Sequence, residues 1–126
     1  MKALVIDDSR FQRIAIQRAL GRAGHDVVTA EDGEVGLRTA QQAVPDIIVL
    51  DMMLPKLSGV DVLKALRQQQ NTKEVPVIVL TALSDKNREK LLAEGATEFL
   101  NKTDVVSDSN CSILVAAMQQ LGPRRK

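Results

Sequence analysis

Five short, mostly apolar runs alternate with segments of helical periodicity along the chain, and this alternation limits the possible folds more than any other feature. The runs are ALVID from Ala3, DVVTA from Asp26, DIIVLD from Asp46, PVIVLTA from Pro76 and TEFL from Thr97. Continuous apolar runs are typical of strands buried on both faces, and helices between them require parallel strands with right-handed crossovers. The sequence therefore predicts a three-layer, doubly wound α/β fold with a five-stranded parallel sheet and five helices.

The size and composition fit one compact domain. The chain has 126 residues, and we predict a domain over residues 1–122 followed by a basic tail at 123–126. Lys and Arg number 17 against 16 Asp and Glu, so charge does not favour binding to nucleic acid or membrane. No apolar run approaches the roughly 20 residues that cross a bilayer, and no signal peptide opens the chain. We therefore expect a cytoplasmic location.

Two helical segments carry more specific expectations. In the first helix, one apolar face is predicted to be buried, and it consists of Phe11, Ile14, Ala15, Ala19 and Ala23. The last helix is predicted to run from about residue 108 to 121. The polar segment KTDVVSDSN before it is expected to be a long loop.

Polar side chains stand at the predicted carboxyl ends of the strands. Asp7 and Asp8 end the first, Asp51 ends the third, Thr81 ends the fourth, and Lys102 lies just past the fifth. In a doubly wound sheet these ends meet at one edge, where ligands bind. Three carboxylates gathered there repel one another, and a hard divalent cation such as Mg²⁺ relieves that repulsion through oxygen ligands.

The donors beside these carboxylates suggest phosphoryl chemistry. A metal, the Thr81 hydroxyl and the Lys102 ammonium would together surround the oxygens of a phosphoryl group. The Asp51 carboxylate would then act as a nucleophile and form an aspartyl phosphate. Each residue has an ordinary alternative role, such as a helix cap, a β-branched strand residue or a surface charge. It is the coincidence of all of them at one edge that favours the phosphoryl site.

The motifs at these strand ends resemble those of a known family. The stretches IDDS, LDMMLPKLSG, LTA and FLNK occur in that order, and they are similar to the motifs of the response-regulator receiver domain of bacterial two-component signalling, including its chemotaxis members. The resemblance covers essentially the whole chain. It implies the flavodoxin-like strand order 2-1-3-4-5.

The resemblance also implies a role for each site residue. Asp51 would be the phosphoacceptor for a histidine kinase, with Lys102 paired to a phosphoryl oxygen. Thr81 and the Ala82 N–H would bind other phosphoryl oxygens, and Phe99 would be the switch aromatic that swings inward. Mg²⁺ would be held by the carboxylates of Asp8 and Asp51 and the backbone carbonyl of Met53, with the Asp7 carboxylate also in the metal site but acting mostly through water.

The implied function is a signalling switch rather than an enzyme, limited to self-phosphorylation and autodephosphorylation. Phosphorylation would change the surface formed by the fourth helix, the fifth strand and the last helix, and so control partner binding. The expected partners are a sensor histidine kinase or phosphotransfer protein and a downstream effector protein, with no direct contact to nucleic acid or membrane. We expect a monomer or a weak, phosphorylation-dependent dimer. Because the pattern begins at Met1, we expect a stand-alone or N-terminal receiver.

One position departs from the family pattern. Thr103 follows Lys102 where the family usually has proline.

Three other interpretations compete with a phosphorylated receiver. An aspartyl-nucleophile phosphatase would need a second acid two residues after Asp51, where the chain has Met53. A flavodoxin-like cofactor carrier would need aromatic residues beside its flavin, and aromatics make up 2% of the chain. A degenerate receiver that only binds partners should lack part of the acidic, Thr and Lys set.

Overall fold

The structure is a computed structural model that describes residues 1–52, 54, 57–81 and 88–121, with the backbone alone at 88, 90 and 91. Its strands are β1 Lys2–Ile6, β2 Asp26–Ala30, β3 Ile47–Asp51, β4 Val77–Thr81 and β5 Glu98–Asn101. Its helices are α1 Arg10–Arg22, α2 Gly33–Ala43, α3 Gly59–Gln68, α4 Arg88–Ala93, α5 Lys102–Val106 and α6 Ser112–Leu121. In the described residues no helix is long and apolar enough to cross a membrane.

The five strands form one parallel sheet in the order β2-β1-β3-β4-β5. The predicted fold class and strand order are therefore confirmed. All five residues of β3 and of β4 are buried, because helices cover both faces of the sheet. The order reverses between β1 and β3, so their carboxyl ends border the crevice where such sheets bind ligands.

Two apolar layers separate the sheet from its helices. One layer packs α2 and α3 against one face of the sheet and includes Ala40, Leu63 and Leu66. The other packs α1, α5 and α6 against the opposite face and includes Leu20, Val105, Leu114 and Met118. Alternate strand residues enter opposite layers, as the period of two in a β-strand requires.

The buried face of α1 differs from the predicted one. The buried residues are Ile16, Ala19 and Leu20, whereas Phe11 is 83% exposed. Phe11 lies in the first turn, and the buried residues all lie in later turns. Ala23, at the other end of the helix, is also exposed. The predictions for Phe11 and Ala23 were therefore wrong, because the core covers the middle and later turns of α1 and neither of its ends.

A short helix, α5, occupies much of the segment that was expected to be a loop. The Asn101 side chain caps it by accepting a hydrogen bond from the Asp104 N–H at 3.1 Å. The last helix begins at Ser112 rather than near residue 108, because the Asp108 carboxylate accepts bonds from the Asn110 and Ser112 N–H groups. Cys111, between them, has a φ of 48°, which interrupts the helical path.

Candidate functional site

The register of the sheet brings the predicted strand-end residues to one edge. Ile6 pairs with Leu50, so Asp7 and Asp51 are neighbours at the ends of β1 and β3. Asp51 pairs with Leu80, which places Thr81 one residue further along the edge. Thr81 pairs with Asn101, and Lys102 follows directly as the first residue of α5. The geometry of the parallel sheet thus gathers side chains that are far apart in sequence.

Three carboxylates form the centre of this edge. Oxygens of Asp7, Asp8 and Asp51 all lie within 4.8 Å of one another. Asp7 and Asp51 are each 1% exposed, whereas Asp8 is exposed. The cluster therefore has two buried members and one that faces solvent, which leaves a route of approach for a ligand.

Lys102 supplies the positive charge of the site. Its Nζ donates a hydrogen bond to Asp51 Oδ2 at 2.7 Å and lies 3.5 Å from Asp7 Oδ2. No peptide bond between described residues is cis, so the bond from Lys102 to Thr103 is trans. With Thr103 in place of proline, the chain enters the capped helix α5 directly, and this helix start holds Lys102 against the carboxylates.

The Asp7 carboxylate is held asymmetrically. Its Oδ1 accepts a hydrogen bond from the Ser9 N–H at 2.9 Å, while its buried Oδ2 has no hydrogen-bond partner among the described residues. Burial, together with the nearby Asp51 charge, raises the pKa of Asp7 from 3.8 to about 6. The Ser9 hydrogen bond and the Lys102 charge oppose this rise but do not cancel it.

These features fit a hard divalent cation. Negative charge in this cluster is poorly compensated, because three carboxylates converge and the pKa of Asp7 is raised. Asp7 Oδ2 accepts no hydrogen bond from a described residue, and the Lys102 ammonium is 3.5 Å away. Every potential metal ligand in the carboxylate cluster is an oxygen atom, and oxygen ligands suit Mg²⁺ better than a softer metal. A cation there would complete the coordination that the protein atoms leave unsatisfied.

The raised pKa of Asp7 predicts how stability depends on pH in the metal-free protein. The folded state keeps the proton up to about pH 6, whereas the unfolded chain loses it near 3.8. Stability from this group is therefore lost as pH rises through that window. We expect Asp7→Asn to raise the free energy of unfolding in EDTA at neutral pH by about 1–3 kcal/mol, since a one-unit pKa shift is worth about 1.4 kcal/mol.

Urea unfolding at a series of pH values measures this effect. The stability difference between Asp7→Asn and wild type should grow from about pH 4 to about pH 6 and then level off. Asp26→Asn is the matched control, because Asp26 is exposed and its replacement should change stability little at any pH. An Asp7→Asn variant that is less stable than wild type at neutral pH would contradict the explanation.

The remaining predicted residues have different positions. Thr81 is buried at the end of β4. Phe99 lies in β5 opposite Val79, is partly buried, and packs against the apolar layer of α2 and α3. Met53 and Ala82, predicted to offer a carbonyl and an N–H, lie outside the described residues. The structure therefore brings together Asp7, Asp8, Asp51 and Lys102, with Thr81 adjacent.

One residue of this edge was missed from the sequence. Arg13, in α1, donates a hydrogen bond from Nη1 to the backbone carbonyl oxygen of Asp7 at 2.8 Å. A bond to a backbone carbonyl leaves no signature in residue types or spacing. A helical arginine therefore looks the same in sequence whether it is solvated or bound.

Comparisons with known proteins agree with this geometry. The family model described as "Response regulator receiver domain" matches residues 3–108. The chain is 45% identical over 103 residues to the alkaline phosphatase synthesis transcriptional regulatory protein PhoP of Bacillus subtilis, covering 80% of this chain and 42% of that protein. It is 40% identical over 125 residues to the transcriptional regulatory protein PrrA of Mycobacterium tuberculosis, covering 98% and 51%. The chain thus spans about half the length of these curated relatives.

Solved structures resemble the whole chain. The chemotaxis response regulator CheY4 of Vibrio cholerae superposes with a TM-score of 0.87 at 34% identity, covering 96% of this chain and 98% of that one. The receiver domain of the sensor histidine kinase PA1611 of Pseudomonas aeruginosa gives 0.83 at 29% identity, with 95% of each chain covered, and holds a magnesium ion in its active-site cleft. Together with the family match, these similarities show that the chain belongs to the response regulator receiver domain family.

Proposed function

We propose that this receiver domain is a phosphoacceptor switch in which Asp51 takes a phosphoryl group from the phosphohistidine of a sensor kinase or phosphotransfer protein. The observation that carries the proposal is the position of Asp51, a buried carboxylate at the strand end, 2.7 Å from Lys102 and clustered with two further carboxylates. A carboxylate placed there for stability alone would be costly, because burial penalises its charge.

The transfer is a single displacement at phosphorus. An oxygen of the Asp51 carboxylate attacks the phosphorus, the P–N bond to the donor imidazole breaks, and the bonding electrons leave with the imidazole nitrogen. The product is an aspartyl phosphate, a mixed anhydride. The Lys102 ammonium pairs with a phosphoryl oxygen, and the Thr81 hydroxyl and the Ala82 N–H donate to others.

We propose Mg²⁺ as the cofactor, held by Asp7, Asp8, Asp51 and the carbonyl of Met53. When bound, it would neutralise the charge that accumulates between the carboxylates and the phosphoryl oxygens. The sheet positions two of these ligands, because Asp7 and Asp51 stand at the ends of the paired strands β1 and β3. Asp8 stands on the solvent side of the cluster.

The phosphodonor is expected to lie outside residues 1–126. The one histidine of the chain, His25, contacts the amino terminus of Met1 at 3.3 Å. It directly precedes β2, and Asp26 pairs with Lys2, so His25 lies at the amino ends of the strands, opposite the site. His25 is therefore on the wrong side of the sheet to pass a phosphoryl group to Asp51.

Phosphorylation would be read out by a two-state change. Thr81 would move to the phosphoryl group, and Phe99 in β5 would turn inward, which alters the surface of α4, β5 and α6. Phe99 is partly buried in β5, the strand beside the one that ends in Thr81, so a movement of Thr81 would have to pass across only one pair of strands to reach Phe99. The altered surface would bind a downstream effector protein, either as a monomer or through a weak dimer.

Several further expectations stay predictions. Relatives are transcriptional regulators by name, so the expectation of no direct contact with nucleic acid is not confirmed. The domain limit at 122 and the basic tail at 123–126 are proposals, since the tail lies outside the described residues. A cytoplasmic location, the absence of membrane contact and the restriction to self-phosphorylation and autodephosphorylation are likewise predictions from the sequence.

The experiment that tests the function is phosphorylation by acetyl phosphate with and without Mg²⁺. Intact-mass spectrometry should show the addition of one phosphoryl group in Mg²⁺ and almost none in EDTA, because the carboxylate cluster repels an anionic donor without a cation. The same comparison with a phosphorylated histidine kinase tests the protein donor. Equal labelling in Mg²⁺ and EDTA would contradict the metal-assisted function.

A further inference from the structure

We infer that Arg13 is a positioning residue that sets Mg²⁺ affinity by fixing the peptide group between Asp7 and Asp8. This inference rests on the proposed metal site and adds a residue to it. Arg13 belongs to α1 rather than to any strand end, and it contributes no ligand atom. Its effect would come through the backbone to which the two acidic side chains are attached.

The contact is specific to one peptide group. Arg13 Nη1 donates to the carbonyl oxygen of Asp7 at 2.8 Å, and this oxygen belongs to the peptide that joins Asp7 to Asp8. The backbone N–H of Arg13 donates to the Ser9 carbonyl, also at 2.8 Å. One residue thus holds both ends of the short loop between β1 and α1.

The other hydrogen bonds of this loop involve the groups on either side of the Asp7 carbonyl and not the carbonyl itself. The Asp7 N–H donates to the Ala30 carbonyl at 3.1 Å, which continues the sheet. The Ser9 N–H donates to the Asp7 side chain at 2.9 Å. Among the described residues, the Arg13 guanidinium is the hydrogen-bond donor to the Asp7 carbonyl oxygen. Without it, rotation of the peptide plane is opposed only by the bonds on either side.

Asp8 depends on this peptide more than Asp7 does. Asp8 is exposed, and no hydrogen bond or ion pair from a described residue holds its carboxylate. Its oxygen nevertheless lies within 4.8 Å of those of Asp7 and Asp51. The placement of that oxygen must therefore come from the loop backbone, whose orientation Arg13 fixes.

The sign of the effect separates positioning from simple electrostatics. A guanidinium near a cation site repels the cation, so removing its charge alone should strengthen Mg²⁺ binding. If Arg13 orients the ligands, its removal should instead weaken binding, as loss of groups that orient metal ligands typically costs about 10- to 100-fold in affinity. We expect Arg13→Ala to raise the Mg²⁺ Kd about tenfold.

The test is isothermal titration with Mg²⁺, or amide NMR shifts, because the chain has no Trp or Tyr to serve as a fluorescent reporter. Arg10→Ala is the matched control: Arg10 is exposed in the same turn of α1 and makes no hydrogen bond or ion pair among the described residues. Its Kd should stay within about twofold of wild type or fall slightly, by the electrostatic reasoning above. Arg13→Lys keeps the charge but lacks the second arm of the guanidinium, and should weaken binding less than Arg13→Ala.

The outcomes distinguish this inference from the function on which it rests. A tenfold weaker Kd in Arg13→Ala, with uptake from acetyl phosphate restored at saturating Mg²⁺, supports positioning. An unchanged or tighter Kd in a folded Arg13→Ala protein overturns it. If that variant does not fold, an unchanged or tighter Kd in Arg13→Met, which keeps the apolar stem but has no donor, does the same. Failure of the wild type to accept a phosphoryl group despite a measurable Mg²⁺ Kd would instead contradict the proposed function.

Discussion

Asp51→Asn should abolish phosphoryl uptake, lowering the rate by about a thousandfold or more, since removing a catalytic nucleophile typically has effects of this order. The amide of asparagine cannot attack phosphorus as a carboxylate does, and the other carboxylates near Lys102 are placed differently. Asp7 lies 3.5 Å from Lys102 Nζ rather than 2.7 Å, and it binds the Ser9 N–H. Intact-mass spectrometry after incubation with acetyl phosphate and Mg²⁺ measures the loss.

The matched control for this variant is Asp46→Asn. Asp46 directly precedes β3 and accepts a hydrogen bond from the Lys2 N–H, so it lies at the opposite end of the same strand from Asp51. Its replacement should leave the extent of labelling unchanged. Labelling of Asp51→Asn at the wild-type rate would show that another residue is the acceptor.

Lys102→Met should destabilise the metal-free protein by about 2–4 kcal/mol, because it leaves buried carboxylates without their counter-charge. The Asp51 and Asp7 side chains are almost fully buried, and the Lys102 side chain is 15% exposed, so water screens this cluster poorly. Saturating Mg²⁺ should restore much of the loss, since a cation supplies the missing charge. Urea unfolding in EDTA and in Mg²⁺ measures both effects.

An exposed ion pair between a lysine and a glutamate provides the comparison. Lys64 lies 3.4 Å from Glu94, but its side chain is 53% exposed. Lys64→Met should change stability by less than about 1 kcal/mol, with no dependence on Mg²⁺, as is usual for surface ion pairs. If Lys102→Met cost no more than Lys64→Met in EDTA, the carboxylate cluster would not be electrostatically strained as we describe.

The fold could be predicted because its signals are strong and regular. Parallel strands buried on both faces read as continuous apolar runs, and the run DVVTA coincides with β2 at Asp26–Ala30. The edge that gathers Asp7, Asp51 and Lys102 followed from the same alternation, since the carboxyl ends of parallel strands must lie together. The roles of these residues remain predictions.

Other features depend on tertiary contacts that residue types do not encode. Phe11 fits a helical apolar face by spacing, but the sheet and α6 do not reach the first turn of α1. The helix α5 forms in a polar segment because the Asn101 side chain caps it, while Val105 is buried in the layer with α1 and α6. Arg13 binds a carbonyl oxygen, which every residue has, so no pattern of side chains could reveal it.

The central claim is that Asp51 is the phosphoacceptor, and the most direct test is to locate the modification itself. The wild-type protein is phosphorylated with acetyl phosphate in Mg²⁺, the aspartyl phosphate is reduced with borohydride, and the peptides are sequenced by mass spectrometry. We predict that the reduced residue is Asp51, with no reduction in EDTA. Reduction at Asp7, at Asp8 or at any residue outside this edge of the sheet would contradict the claim.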